Sequence, residues 1–210
     1  QAGPSLGLLT TWLVMRRQVL ALLPGPAESA ERFGRRVVAV AAVMAGYGLL
    51  TLLLSNASGA RPDQLKFTGG MLVLYLVCQL LGALGEEFGW RGFLQPVLER
   101  RLGMVGASVA VGIIWAAWHF DRLADPMMFV GFALTAIALS LALGCLTGGT
   151  WWQRGLVAGF AHWKANVSLF FFADPAAALE GEATAGLPFV VPQLALGLVM
   201  WLWYRRRITA

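Results

Sequence analysis

The chain is short of charged residues and of cysteine. Only 13% of its 210 residues are Asp, Glu, Lys or Arg, while 58% are hydrophobic; a soluble domain usually carries about 25% charged residues. Its two cysteines, Cys78 and Cys145, both lie inside apolar runs. Such cysteines are expected to pack as small hydrophobic residues and do not indicate a disulfide framework. These shortages exclude a disordered protein, a disulfide-rich domain and an ordinary soluble enzyme with one modest core.

Long apolar runs fill most of the sequence instead. A helix that spans a bilayer needs about 20 mostly apolar residues, and no strand-like alternation of useful length accompanies the runs. We therefore predict an all-α fold, a polytopic membrane helical bundle with seven recognisable transmembrane helices, and a single domain over residues 1–210. The seven predicted spans are Leu6–Met15, Val37–Ser55, Gly69–Leu84, Met104–Trp118, Met127–Leu146, Leu156–Phe172 and Pro188–Tyr204.

Basic residues are distributed unevenly between these spans. Of the 16 Lys and Arg residues, 11 fall in alternate connecting segments, whereas the intervening loops hold only three. Lys and Arg are retained on the cytoplasmic side of a membrane, so the first set predicts the cytoplasmic face. We therefore interpret the positive charge as a topology signal. The expected partner of the chain is a lipid bilayer, and no nucleic-acid partner is expected. The arginine-rich segments are 15–36, 99–104, 147–155 and 205–210.

Three clusters of polar residues interrupt the apolar runs. They lie around Glu86 and Glu87, at His119 and at His162, and they include the only two histidines of the chain. A charged side chain inside a span costs about 2.5–3.5 kcal/mol on insertion scales and is a functional hypothesis by default. The three clusters are therefore the candidate functional residues.

The spacing within the clusters predicts which side chains share a helix face. Glu87 and Arg91 are four residues apart, so they can form an ion pair on one face. Glu86 is rotated about 100° from that face. His162 and Asn166 are also four residues apart and present a second shared polar face. One carboxylate is thus neutralised by arginine while its neighbour faces elsewhere.

Two of the clusters are predicted to lie at the same depth. If the helix that begins at Gly69 continues and turns near Leu102–Gly103, Glu86 and His119 lie at equal distances on either side of the turn. That distance is about 25 Å along an antiparallel helix pair. Two carboxylates, two histidines and an asparagine at compatible depth provide a base, its partners and oxyanion donors. We predict a hydrolytic site built from motifs within about residues 84–170.

These motifs resemble those of the CPBP or Abi family, the CAAX prenyl endopeptidases and bacteriocin-processing membrane proteases. The family motif Glu-Glu-xxx-Arg is matched over residues 86–91, and His-xxx-Asn over residues 162–166. The motif Phe-xxx-His is matched by Trp115 and His119, with tryptophan in place of phenylalanine. The resemblance implies an eight-helix protease with its site inside the bilayer and open toward the cytosol. Seven spans then fit the loss of one helix before Gln1.

The resemblance also implies roles for the polar residues. Glu86 is expected to be the catalytic carboxylate that activates water together with His119. His162 and Asn166 are expected to position that water or to stabilise the oxyanion. The expected substrate is a membrane-associated peptide or a prenylated or otherwise lipidated protein, and the expected location is the bacterial plasma membrane.

The resemblance gives the first motif a supporting pair, and it leaves two alternatives open for the cofactor. Glu87 and Arg91 complete the first motif and are interpreted as a structural pair that supports Glu86. Zinc is one alternative, held by Glu86, His119 and His162 with a position left for water. A desolvated glutamate that acts as base without metal is the other, and it explains the paired carboxylates with fewer assumptions. No cofactor is therefore favoured.

Two other classes of protein remain as alternative hypotheses. In a proton-coupled transporter, Glu86, His119 and His162 would relay protons, but such proteins commonly show inverted repeats, and none is visible. A catalytically silent membrane scaffold of the same fold is the second alternative. The complete set of motif residues argues against lost catalysis.

Overall fold

The computed structural model describes residues 2–59, 68–119, 126–173 and 183–209. Nearly all of these residues are helical, and no strand occurs among them. The predicted all-α fold is therefore confirmed. The elements are α1 (Gly3–Val14), α2 (Arg16–Leu22), α3 (Ala30–Ser58), α4 (Gly69–Gly89), a π-helical turn (Trp90–Leu94), α5 (Gln95–Trp118), α6 (Pro126–Leu146), α7 (Trp151–Phe172) and α8 (Ala183–Thr209).

The helices have the lengths and compositions of a membrane protein. Within the described ranges, four helical segments are long and apolar enough to cross a bilayer. One of them has 50 residues and contains both α4 and α5, so it supplies two of the predicted spans. Helix α1 is too short at 12 residues, and the polar residues of α7 lower its hydropathy. The four segments are Ala30–Ser58, Gly69–Trp118, Phe129–Leu146 and Gly186–Arg207.

The chain reverses direction at Gly103, where the sequence predicted a turn. Gly103 has φ +68° and ψ 172°, a region of backbone space that is essentially restricted to glycine. Across the turn, the side chain of Gln95 donates a hydrogen bond to Ser108 Oγ at 3.1 Å. The indole of Trp115 reaches Glu86, 29 residues earlier, at 2.7 Å; along a straight helix this separation would be about 43 Å. The chain therefore forms an antiparallel hairpin, in which α4, the π-helical turn and the start of α5 are one arm and the part of α5 after Gly103 is the other.

A single π-helical turn, Trp90–Leu94, interrupts the first arm of this hairpin. The backbone N–H of Gln95 donates to the carbonyl of Trp90, five residues earlier. Pro96 follows directly, and a proline ring clashes with the carbonyl four residues before it in an α-helix. The wider turn gives that ring room, and the helix continues without a break. Such turns occur frequently at functional sites, and this one carries Arg91.

Close packing against α7 fixes the position of α4. A Cβ added at Gly155 would lie 2.3 Å from the ring of Phe88, and one at Gly159 would lie 2.6 Å from Leu84. Only a residue without a side chain permits this approach. The polar residues that follow Leu84 on α4 are thereby brought against the middle of α7, where His162 lies.

Candidate active site

The three polar clusters meet at one cavity of about 180 Å³. Helices α4, α5 and α7 bring the polar groups, while α6 and α8 supply the remaining walls through residues such as Phe132 and Phe189. Four of the six predicted site residues line this cavity: Glu86, His119, His162 and Asn166.

Glu86 is buried, with 2% of its surface exposed, and its carboxylate is held by a tryptophan. The Nε1–H of Trp115 donates a hydrogen bond to Glu86 Oε2 at 2.7 Å. This tryptophan occupies the position where the Phe-xxx-His motif has phenylalanine, a residue that has no N–H to donate. The substitution therefore adds a direct hydrogen bond to the carboxylate expected to act as base.

Glu87 and Arg91 form the predicted ion pair. Arg91 Nη1 donates to both carboxylate oxygens of Glu87, at 2.8 and 2.9 Å, and both side chains are fully buried. The Arg91 guanidinium also lies over the ring of Trp115, with Cζ 4.9 Å from the ring centroid. This cation–π contact compensates in part for Nε and Nη2, which have no hydrogen-bond partner among the described residues.

The ion pair has a further partner that the sequence did not predict. The Nδ1–H of His162 donates to Glu87 Oε1 at 3.0 Å, because a carboxylate can only accept. Glu87 thus binds Arg91 on its own helix and His162 on α7. It fixes the imidazole ring and leaves Nε2 as the remaining nitrogen of His162, which lines the cavity. The pair supports the site through His162 as well as through its place beside Glu86.

His119 is positioned by the way α5 ends. The backbone N–H of His119 bonds to the carbonyl of Ala116, three residues earlier, and not to that of Trp115. The Trp115 carbonyl is therefore available, and the Nδ1–H of His119 donates to it at 2.9 Å. In the neutral imidazole this assignment leaves the lone pair on Nε2. The ring packs edge-on against Phe132, with 4.9 Å between ring centroids.

Asn166 lies one turn beyond His162 on α7, as the spacing predicted. Its Nδ2 donates a hydrogen bond to Gln79 Oε1 on α4 at 3.2 Å. Gln79 is a residue of the site that was not predicted from the sequence. It precedes Glu86 by seven residues, about two helical turns, so the two lie near the same face of α4. A polar residue two turns before the motif was the signal that could have indicated it.

The cavity lies deep in the helical bundle. His162 is close to the middle of α7, about 16 Å from its first residue at 1.5 Å per residue. On the neighbouring helices the lining residues are nearer to the arginine-poor ends: His119 directly follows α5, and Phe132 lies six residues after the start of α6. The site is therefore within the apolar part of the bundle and displaced toward the face with fewer arginines.

The three residues that one alternative assigned to zinc do not form a three-ligand group in this arrangement. Within the described part of the chain, no three His, Cys, Asp or Glu side chains lie close enough together to hold a metal ion. The hydrogen bonds at Nδ1 of His119 and His162 do not themselves exclude zinc, because an imidazole that binds a metal usually donates its other N–H to a carbonyl or a carboxylate. Zinc requires its ligand atoms at about 2.0–2.2 Å in tetrahedral geometry. The residues present do not fit zinc without rearrangement.

Comparison with known proteins gives matches over part of the chain. Residues 68–168 match the sequence model of a family described as type II CAAX prenyl endopeptidase Rce1-like. All three motifs lie within this segment. The chain is also 39% identical over 87 residues to CAAX prenyl protease 2 of Methanococcus maripaludis. That alignment covers 39% of this chain and 30% of the relative, so it spans less than a third of the relative's length. The resemblance indicated by the motifs is therefore confirmed over this part of the chain.

Proposed function

We propose that this protein, similar over residues 68–168 to CAAX prenyl endopeptidases, is an intramembrane endopeptidase that hydrolyses a peptide bond in a membrane-associated or lipidated peptide or protein. The observation that carries the proposal is the convergence of Glu86, His119, His162 and Asn166 on one buried cavity. A prenylated substrate is the specific form of the proposal, and it rests on the name of the relative, CAAX prenyl protease 2.

The proposed first step is deprotonation of water by Glu86. A water molecule between Glu86 and Nε2 of His119 donates one proton to the carboxylate, and its oxygen forms a bond to the scissile carbonyl carbon. The π electron pair of that carbonyl moves to its oxygen. When the tetrahedral intermediate collapses, the C–N bond breaks, and the proton held by Glu86 passes to the leaving amine. General base and general acid catalysis of this kind contributes about 10²- to 10⁴-fold.

The oxyanion of that intermediate requires hydrogen-bond donors. The Nδ2 group of Asn166 has two N–H bonds, and Gln79 accepts from only one of them. His162, held through Nδ1 by Glu87, donates from Nε2 when it is protonated. Fixed donors in a buried site stabilise a developing oxyanion more strongly than water does. Asn166 and His162 are therefore the proposed oxyanion donors.

Trp115 is proposed to orient the catalytic carboxylate. Its N–H binds Oε2 of Glu86, so Oε1 is the oxygen proposed to be presented to water. The same residue accepts the Nδ1–H of His119 through its backbone carbonyl. A single residue thus fixes both groups expected to contact the attacking water.

For the cofactor we propose a glutamate mechanism without metal. The lack of a fitting set of three ligands among the described residues supports it. A purified enzyme that contains one equivalent of zinc, and loses activity reversibly on chelation, would contradict this part of the proposal.

For the location we propose the bacterial plasma membrane, with both the arginine-rich helix ends and the opening of the site on the cytoplasmic side. The distribution of arginines supports the orientation. The cavity lies nearer to the opposite ends of α5 and α6, so a cytoplasmic opening requires a water path along the inner half of the bundle. Orientation and opening are therefore separate parts of the proposal.

The direct test is cleavage of peptides by Glu86→Gln, with Glu31→Gln as the matched control. Both variants replace one carboxylate with an amide, but Glu31 is exposed and pairs with Arg35 on the surface of α3. With a fluorogenic peptide that carries a prenylated cysteine, Glu86→Gln is expected to lower kcat by about 10²- to 10⁴-fold. Glu31→Gln is expected to retain wild-type activity. Equal activity of wild type and Glu86→Gln would remove Glu86 from the mechanism.

A further inference from the structure

A second concave surface lies away from the catalytic cavity, at the arginine-rich ends of three helices. It is a groove of about 640 Å³ between the start of α3 and the ends of α6 and α8. Four arginines line it, and no acidic residue does among those that the structure describes. They are Arg32, Arg35, Arg36 and Arg207.

Two of these arginines pair with a carboxylate, and the other two do not, within the described ranges. Arg35 pairs with Glu31 at 2.9 Å, and Arg36 binds the carboxylate of Glu28 and the carbonyl of Leu146. Arg32 and Arg207 form no salt bridge with any residue that the structure describes. The guanidinium of Arg207 lies over the ring of Trp203, with 4.0 Å between Cζ and the ring centroid. Two guanidinium groups can therefore bind an anion.

Below the arginines, the walls of the groove are apolar. Val40 and Val43 continue along α3 toward the bilayer, and Val199 and Met200 do the same along α8. Trp203 lies between the two zones, where tryptophan is enriched at membrane interfaces. The groove thus places positive charge at the membrane surface and an apolar channel directly beneath it. This order matches an amphiphile with an anionic head and a hydrocarbon chain.

We propose that this groove binds an anionic glycerophospholipid, with its phosphate against Arg32 and Arg207 and one acyl chain along Val43 and Val199. A soluble phosphate has no hydrocarbon group that could contact the apolar walls. A zwitterionic lipid has no net negative charge to balance the positive charge of the arginines. Basic pockets between transmembrane helices are a known way to hold anionic headgroups. The proposal does not depend on the catalytic mechanism, because the groove shares no residue with the cavity.

Native mass spectrometry of the full chain in detergent tests the proposal. Phosphatidylglycerol and phosphatidylcholine with identical acyl chains are offered in equal amounts, and wild type is expected to retain phosphatidylglycerol preferentially. The double variant Arg32→Gln/Arg207→Gln is expected to bind phosphatidylglycerol about thirtyfold more weakly, from the usual contribution of two basic residues near an anionic membrane surface.

The matched control is Arg16→Gln/Arg17→Gln. It removes two exposed charges at the start of α2, outside the groove. Arg16 lies over Trp12 at 5.3 Å much as Arg207 lies over Trp203. The control is expected to retain phosphatidylglycerol like wild type. Equal losses in both variants would show general surface attraction and overturn the groove, as would undiminished binding by Arg32→Gln/Arg207→Gln.

Two further measurements test the role of the acyl chain and the integrity of the fold. Phosphatidylglycerol is expected to raise the Tm of wild type and of the control, but not that of Arg32→Gln/Arg207→Gln, because a ligand that binds only the folded state stabilises it. Without lipid, all three proteins are expected to have the same Tm. If glycerol phosphate, which has no acyl chain, gives the same rise as the lipid, the apolar half of the proposal is wrong.

Discussion

Trp115 connects most of the groups in the candidate site. Its indole N–H binds Glu86, its ring contacts the guanidinium of Arg91, and its carbonyl binds His119. The ring also lies edge-on to His162, with 5.0 Å between centroids. A substitution that keeps an aromatic ring and removes only the N–H therefore separates the hydrogen bond from the packing.

Trp115→Phe is expected to lower kcat about ten- to a hundredfold, because a hydrogen bond to a charged group contributes about 1.5–3 kcal/mol. KM is expected to change little, since the substrate does not require this N–H. Steady-state kinetics with the fluorogenic prenylated peptide provide the measurement.

Trp90→Phe is the matched control for that experiment. The Nε1 of Trp90 is buried and has no hydrogen-bond partner among the described residues, so its loss is expected to leave kcat unchanged. In addition, the ¹⁵N-indole resonance of Trp115 can be assigned because it is absent from the spectrum of Trp115→Phe. This resonance is expected to shift in Glu86→Gln. If Trp115→Phe retains the wild-type kcat, the hydrogen bond does not contribute to catalysis.

The sequence predicted the residues of the site better than their contacts. Helical spacing within one segment predicts that Glu87 faces Arg91 and that His162 faces the same way as Asn166, and the structure has both arrangements. Spacing does not predict how α4 and α7 are rotated relative to each other. The bond between Glu87 and His162 depends on that rotation, which the close packing at Gly155 and Gly159 sets.

At the scale of helices, the hairpin of α4 and α5 determines the geometry of the site. Its turn was predictable because Leu102–Gly103 ends a run of polar residues between two apolar runs. The π-helical turn before Pro96 was not predictable from periodicity, since one additional residue per turn shifts the pattern too little to be recognised in so short a segment. The turn at Gly103 places Gln95 opposite Ser108. Farther from this turn, it places Glu86 opposite Trp115.

Gly103→Ala is expected to destabilise the protein by about 1–3 kcal/mol, because an L-residue is strained at the backbone angles of Gly103. A lower Tm in detergent and a parallel loss of activity would show that the turn maintains the alignment of the two arms. Gly34→Ala is the control. Gly34 is an exposed helical residue of α3 with open space around its Cα, so alanine there is expected to leave Tm unchanged or raise it. A wild-type Tm for Gly103→Ala would contradict the role assigned to the turn.

At the scale of the whole molecule, a polar network joins four elements at the arginine-rich face. Glu28, between α2 and α3, binds Arg36 through its carboxylate and Gln153 of α7 through its backbone. Gln153 also caps α7 by accepting from Thr150, and Arg36 reaches the carbonyl of Leu146 at the end of α6. The hydrogen bond from Arg36 lowers the pKa of the Glu28 carboxyl below its ordinary value of 4.5.

This network predicts a pH-dependent difference in stability. Because the pKa of Glu28 is lower in the folded state, its stabilising contribution is complete above pH 4.5 and is lost as the pH falls through the lowered pKa. Glu28→Gln is therefore expected to have a lower Tm than wild type at pH 7, with the difference shrinking below pH 4.5. Glu31→Gln removes an exposed pair and is expected to show almost no difference at either pH. A difference for Glu28→Gln that persists unchanged into acid would exclude the carboxylate as its cause.

The orientation of the protein and the side on which its site opens can be decided together by cysteine labelling. In a background of Cys78→Ala and Cys145→Ala, single cysteines replace Arg101 near the hairpin turn, Thr68 before α4, and Asn166 in the cavity. The proposal predicts that a membrane-impermeant thiol reagent labels Thr68→Cys from outside the cell, because the arginine-poor ends face outward. Arg101→Cys and Asn166→Cys are expected to react only in inside-out vesicles, whose sidedness is checked independently with a cytoplasmic marker enzyme. If Asn166→Cys reacts from the same side as Thr68→Cys, the site opens toward the arginine-poor face near which the cavity lies, and the cytoplasmic opening is wrong while the orientation stands. If Thr68→Cys and Arg101→Cys exchange sides, the orientation itself is wrong.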